Sequence, residues 1–380
     1  MRRLLLGGLL VALAAFPIVA DAGVINPDIS LIGQPFIQWT DAGGDPSRKR
    51  PVLDAGETEI VFDAALNPYA RGWATLSFAD GEAGVEEIYF TMLRGLPAGL
   101  TLKGGKYRVG FGKLNMVHPH AYPFAERFGV LAAYLPGEEA FNETGLQLSA
   151  RIPAPGDIAL TASVDALQGD SFRLPREPSL ALNDPLASDL LNGDRSEESR
   201  TALLGRLSAF LPVDDRSGVE LGLSGTQGTN NVAAATRTTV LGADVKAKLW
   251  TGGDSFLLLQ GEALQLDREV AGWDEATARY TRSSQSPLGG YLFADYNWAK
   301  RYDAGVSYER FQQPAAGEAW NAAFGAFAGL WLMEETTAFR LEYHRTMPGR
   351  PEGAIESPAA ANSLRLRVIF SMGPHKAHQF

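Results

Sequence analysis

Apolar and polar residues alternate with a period of two along most of the chain, between short turn signals. From Glu57 to Leu66, Ile60, Phe62, Ala64 and Leu66 share one face, while Glu57, Glu59 and Asp63 share the other. Leu241, Ala243, Val245, Ala247 and Leu249 oppose Asp244, Lys246 and Lys248 in the same way. Near the end, Leu364, Leu366, Val368 and Phe370 oppose Ser363, Arg365 and Arg367. Successive residues of a strand point to opposite faces, so each segment predicts a strand with one apolar and one charged side. Each runs for ~10 residues, the length a tilted strand needs to cross hydrocarbon. About sixteen such segments are found between residues 29 and 370.

The connections sort by length. Asn67-Pro68-Tyr69, Leu96 to Gly99, Pro153 to Gly156, Val213 to Arg216, Gly252-Gly253, Lys300-Arg301 and Glu334-Glu335 are short. Long polar stretches lie near 40–56, 110–142, 168–199, 267–285 and 347–361. A soluble sandwich has no reason to alternate long and short connections. A bacterial barrel does, with tight turns and both termini in the periplasm and long loops outside. The pattern therefore predicts an all-β fold, a single transmembrane antiparallel β-barrel of about sixteen strands. Trp39, Trp73, Trp250, Trp298, Trp320 and Trp331 fall near strand ends, where barrels carry aromatic girdles, although Trp73 and Trp250 come out on the polar face.

Composition agrees. Hydrophobic residues make up 45% of the chain, yet beyond residue 22 no window approaches the ~20 consecutive apolar residues of a spanning helix. Residues 1–22 read as a signal peptide: Arg2 and Arg3, an apolar stretch from Leu4 to Phe16, then Ala20-Asp21-Ala22 before Gly23. Residues 23–380 are left for the barrel. The chain has no Cys, so pairing and packing must hold it together without disulfides. A formal net charge of −10 argues against a nucleic-acid partner. The expected surroundings are outer-membrane lipids, and the terminal aromatic Phe380 is of the kind recognised by the barrel-assembly machinery. A homo-oligomer is left open.

The charged faces nominate pore-lining residues: Glu57, Glu59, Asp63, Lys103, Arg206, Asp244, Lys246, Lys248, Arg340, Arg365 and Arg367. Their signs interleave. A selective filter would show a ring of one sign, so the wall singles out no solute beyond small polar or charged molecules.

Segment 110–142 is too rich in aromatics to extend into water, and it is expected to fold into the lumen as a constriction loop, partly helical over Ala125–Leu135; the alternative is a cap packed over the outer mouth. It contains His118-Pro119-His120. Two imidazoles on a stiff backbone are candidate metal ligands. A Zn²⁺ ion needs three or four ligands, and Glu126, Glu138, Glu139 and His344 are candidates to complete the set. The other reading is loop packing, with both His residues hydrogen-bonded to lumen carboxylates. No other cofactor is expected. His344, two residues after Glu342, is the sole hint of a rim catalytic pair, and no enzyme is predicted.

The run from Gly105 through Arg108 and Gly110-Phe111-Gly112-Lys113-Leu114-Asn115 to His118-Pro119-His120-Ala121 resembles a group of uncharacterised porin-like outer-membrane β-barrel proteins. So do the opening Asn26-Pro27-Asp28-Ile29-Ser30 and the closing Gly373 to Phe380. These proteins are distantly similar to phosphate-selective porins, and some are labelled zinc-regulated or TonB-dependent receptors. The resemblance implies an integral outer-membrane channel. The expected function is porin-type passive diffusion of small polar or charged solutes. The alternatives are a metal (zinc)-binding uptake protein and a structural or adhesive surface barrel.

Overall fold

The computed structural model describes residues 26–373 except 138, 175–198, 233, 275–278, 315–318, 334–335, 351–354 and 356–357. The predicted signal peptide, Glu138, most of the segment 168–199 and Phe380 lie outside the described residues.

One antiparallel sheet winds round and closes on itself. Its first half contains β1 (Asp28–Gly33), β2 (Phe36–Thr40), β3 (Val52–Asp54), β4 (Thr58–Asn67), β5 (Ala70–Ala79), β6 (Glu82–Met92), β7 (Thr101–Arg108), β8 (Asn142–Ile152) and β9 (Ala159–Leu167). Then come β10 (Ala202–Pro212), β11 (Gly218–Asn231), β12 (Thr236–Gly252), β13 (Ser255–Asp274), β14 (Arg279–Gln285) and β15 (Leu288–Trp298). The last are β16 (Tyr302–Gln312), β17 (Trp320–Met333), β18 (Thr337–Met347) and β19 (Ala361–Met372). β2 continues β1 past Gln34-Pro35, β4 continues β3, and β15 continues β14 past Pro287, so the nineteen segments form sixteen wall strands. Each interruption at a proline follows from its missing N–H. Both β1 and β2 pair with β19, which closes the ring and removes every edge. At the long-loop rim the closure is reinforced where the Asn362 backbone N–H and side-chain amide donate to Asp41, at 2.6 and 2.7 Å.

The alternation read from sequence sets the faces. Leu241 and Val245 are exposed on the outside while Asp244 and Lys246 are buried on the inside. Leu364 and Leu366 point out and Arg367 points in. The outer belt of Leu203, Leu207, Leu223, Leu292, Val306 and Leu341 is far too large and apolar for a face in water. Tyr296, Trp298 and Tyr302 stack in a row at one rim of this belt, their centroids 6.2 and 5.4 Å apart, as an interfacial girdle.

Two expectations need correction. Segment 267–285 is mostly a hairpin, with β13 and β14 paired from Arg268–Gln285 to Asp274–Arg279. Ladder hydrogen bonds need no apolar face, so the strands run on beyond the lipid belt with polar sequence. Trp331 also belongs inside with Trp73 and Trp250. Its indole N–H donates to Asp303 at 3.2 Å, and that of Trp73 donates to Thr75 at 2.9 Å. Breaks in register accompany all three, at Trp331/Met333, Trp250/Gly252 and Thr75/Leu76.

Candidate functional site

The segment between β7 and β8 folds into the barrel. Turns at Leu114–Met116 and Pro119–Ala121 lead to one short helix, α1 (Gly129–Tyr134), within the stretch expected to be partly helical. Phe111, Tyr122, Phe124, Phe128, Val130, Leu131 and Tyr134 are buried against inward side chains of the wall, among them Leu258, Leu264, Tyr291, Phe293, Phe311 and Phe327. Phe128 stacks on Tyr291 at 4.0 Å, and Phe124 meets Phe293 edge-on at 5.2 Å.

The neck of the loop explains the motif at 110–115. Asn115 donates to the carbonyls of Val109 and Phe141 at 2.8 and 2.9 Å and accepts from the Phe141 N–H at 2.9 Å, tying the loop's two ends together. Gly112 adopts a left-handed φ of 62°, and a Cβ there would lie 2.0 Å from the Glu262 carboxylate. Only glycine lets the backbone come that close. Phe111 fits over Gly242, where a Cβ would lie 2.8 Å from the ring.

Polar groups on seven wall strands then hold the loop. Glu262 on β13 accepts the N–H groups of Lys113 and Leu114, both at 2.8 Å. On β11, Ser224 accepts the Gly112 N–H and Glu220 pairs with Lys113. On β16, Glu309 accepts the Val130 N–H at 3.0 Å and the Gln312 carbonyl takes the Tyr134 hydroxyl at 2.9 Å. Glu342 on β18 accepts the Ala125 N–H. On β19, Arg365 pairs with Glu126, while Arg367 donates to the carbonyls of Pro119, Tyr122 and Phe124 at 3.2, 3.4 and 2.8 Å. The remaining strands are β4 and β6, through the two histidines. The loop thus crosses the lumen and is fastened around its whole circumference.

The other nominated charges lie on the same inner face. Asp63 pairs with Arg71, and Asp244 takes both terminal nitrogens of Arg206 at 2.7 and 2.9 Å. Lys103 lies over the rings of Tyr89 and Tyr107, Lys248 over Phe256, and Arg340 over Trp331. Glu57, half-buried, directly precedes β4.

His118 and His120 are buried, with ring centroids 5.7 Å apart. Two of the residues expected to complete a metal set are elsewhere. Glu126 is engaged with Arg365, and His344 is on β18 in register with Ser363 of β19. Wall carboxylates take their place. His120 Nδ1 is 3.0 Å from Glu59 Oε1, His118 Nδ1 is 3.1 Å from Glu59 Oε2 and 3.4 Å from Glu86 Oε2, and His118 Nε2 is 2.9 Å from Glu87 Oε2. Burial opposes a charge on His118, but the Glu59 carboxylate outweighs it and holds the imidazole well above its ordinary pKa. Glu86 and Glu87 are neighbours and would ordinarily face opposite ways. Thr75 pairs with Glu87 and Leu76 with Val85, leaving Glu86 as the extra residue of a bulge. That bulge turns both carboxylates toward the loop. Sequence periodicity missed this pair because it assumes an unbroken ladder.

No family model matches the chain. It is 28% identical over 359 residues to an uncharacterized protein of Aquifex aeolicus (strain VF5), covering 89% of this chain and 72% of that one. Among solved structures it is similar to an anion-selective porin from Comamonas acidovorans, with a TM-score of 0.58 and 10% identity over 91% of this chain and 100% of that one. The outer-membrane channel DcaP of Acinetobacter baumannii gives 0.56 at 11% identity, over 92% and 99% of the two chains. The chain has the fold of the outer-membrane porins. OprB of Pseudomonas putida, at 0.55 and 12% identity over 91% and 94%, shares this porin fold. With its apolar belt, such a barrel is an integral outer-membrane protein.

Proposed function

We propose that the chain is a porin-type channel for passive diffusion of small polar or charged solutes, with its flux limited by the inward loop. The observation that carries this reading is a closed sixteen-strand barrel with a charged inner face, crossed by a loop held through polar contacts. Sixteen strands enclose enough space for an aqueous path. On the turn side of the loop, Asp295, Asn297 and Arg340 present buried polar atoms without protein partners. They continue the polar inner face of the wall on that side. Opposite signs interleave on the wall, which favours solutes selected by size over charge. Phe380 would serve as the recognition end for the assembly machinery.

Swelling of liposomes containing the refolded protein, in sugars and amino acids of graded size, tests the function. Entry restricted to the smallest solutes is expected. Impermeability to all of them, persisting after the loop contacts are weakened, would overturn the proposal.

A further inference from the structure

Around the two histidines the barrel wall concentrates negative charge. Glu57, Glu59 and Glu86 converge within 4.8 Å, and Glu87 stands beside them. Arg108, paired with Glu86, and Lys103, near Glu87, are the fixed cations among the groups facing them. Glu59 and Glu87 are buried and Glu57 and Glu86 partly so, and carboxylates crowded together away from bulk water favour further positive charge.

The hydrogen bonding locates where that charge belongs. Glu86 gives one oxygen to Arg108, and Glu59 gives one to His120. His118 directs Nε2 at Glu87. The atoms left over are Glu59 Oε2, Glu86 Oε2 and His118 Nδ1, all buried and all without a hydrogen-bond partner. They face one another at 3.1 and 3.4 Å. With Nε2 turned to Glu87, Nδ1 of His118 faces two carboxylate oxygens, so its lone pair is open to a metal ion wherever the proton that Glu59 otherwise stabilises is displaced. Something positive must lie between them. A single proton on Nδ1 is shared between two oxygens, at 3.1 and 3.4 Å, and points squarely at neither. A metal ion serves all three atoms together with His120.

We propose that Glu59, Glu86, His118 and His120 form a divalent metal site of the Zn²⁺ class that staples the loop to β4 and β6. Metal–ligand bonds of ~2.0–2.1 Å at tetrahedral angles put donor atoms about 3.3 Å apart. The nitrogen–oxygen separations here are 3.0, 3.1 and 3.4 Å. Two imidazoles favour a transition ion over Ca²⁺ or Mg²⁺, which prefer oxygen alone. Glu87 supplies the outer carboxylate that orients a ligating histidine and raises its basicity. The bulge at Glu86 fits the same purpose, since it brings a ligand and an orienting group to one side of one strand.

The test uses full-length protein, refolded and metal-stripped, with His375→Ala and His378→Ala in every arm so that the tail contributes no imidazole. Zn²⁺ titration followed by calorimetry and bound-metal analysis should give one ion per chain. His120→Ala and Glu59→Gln should each weaken binding by about 100-fold or more, and Glu87→Gln by about 10-fold. His344→Ala should bind as the parent does. Folding of each variant is checked by heat-modifiable gel migration. If the ligand variants do not fold, Co²⁺ added to the parent reports directly. Intense visible bands of a tetrahedral ion, abolished by Zn²⁺, are expected. A parent without stoichiometric Zn²⁺ or Co²⁺ bands, or a folded His120→Ala that binds equally well, would overturn the site and leave the cluster as an ion-pair network.

Discussion

Glu262 on β13 accepts the backbone N–H of Leu114 at 2.8 Å, reaching from the wall into the middle of the loop. The same oxygen accepts the N–H of Lys113. Charge-assisted hydrogen bonds contribute more than neutral ones, and here the Leu114 donor is buried and the Lys113 donor partly so. Glu262→Ala should therefore destabilise the protein by on the order of 3 kcal/mol in urea unfolding. A change within about 0.5 kcal/mol, as at an ordinary surface position, would show that the loop is not anchored there.

Phe111 is fully buried between the loop and the wall. Phe111→Ala should cost about 3–5 kcal/mol, since the site is lined by strands that cannot collapse into the gap. The same unfolding assay reads it. A cost below that of Glu262→Ala would indicate that polar anchoring, and not apolar packing, dominates the loop.

On the outer wall, Val245 faces lipid and Lys246 faces the lumen. Val245→Arg should cost about 2–4 kcal/mol near the bilayer midplane, while Lys246→Gln should cost far less. Equal costs would mean that the register of β12 is shifted by one residue.

Strand registers and faces were legible because each wall strand meets lipid on one side, so its sequence must alternate. The inward loop was legible from its aromatics. What completes it was not. Phe256-Leu257-Leu258-Leu259 and Tyr291-Leu292-Phe293 are unbroken apolar runs, the mark of strands buried on both faces. Lipid covers one side and the loop covers the other, a signal present in the sequence but masked by the clearer alternation elsewhere. Glu86 escaped for a different reason: a bulge changes the face of every residue beyond it, and nothing in a period-two pattern announces one.

The short turns should be periplasmic and the long connections external. A Cys at Gly43, where the structure leaves open space, should react with a membrane-impermeant maleimide on whole cells. A Cys at Asp215, exposed in the turn between β10 and β11, should react only after the outer membrane is permeabilised. The reverse pattern would invert the topology.

Single-channel recording in planar bilayers tests the channel reading most directly. The refolded protein should show small, stable conductance steps with weak ion selectivity. Replacing Glu262 and Arg367 together by Ala removes loop anchors on two separate wall strands, β13 and β19, and should raise the conductance several-fold. Bilayers that stay silent with both proteins, although each is inserted and heat-modifiable, would contradict a diffusion channel and leave a sealed barrel.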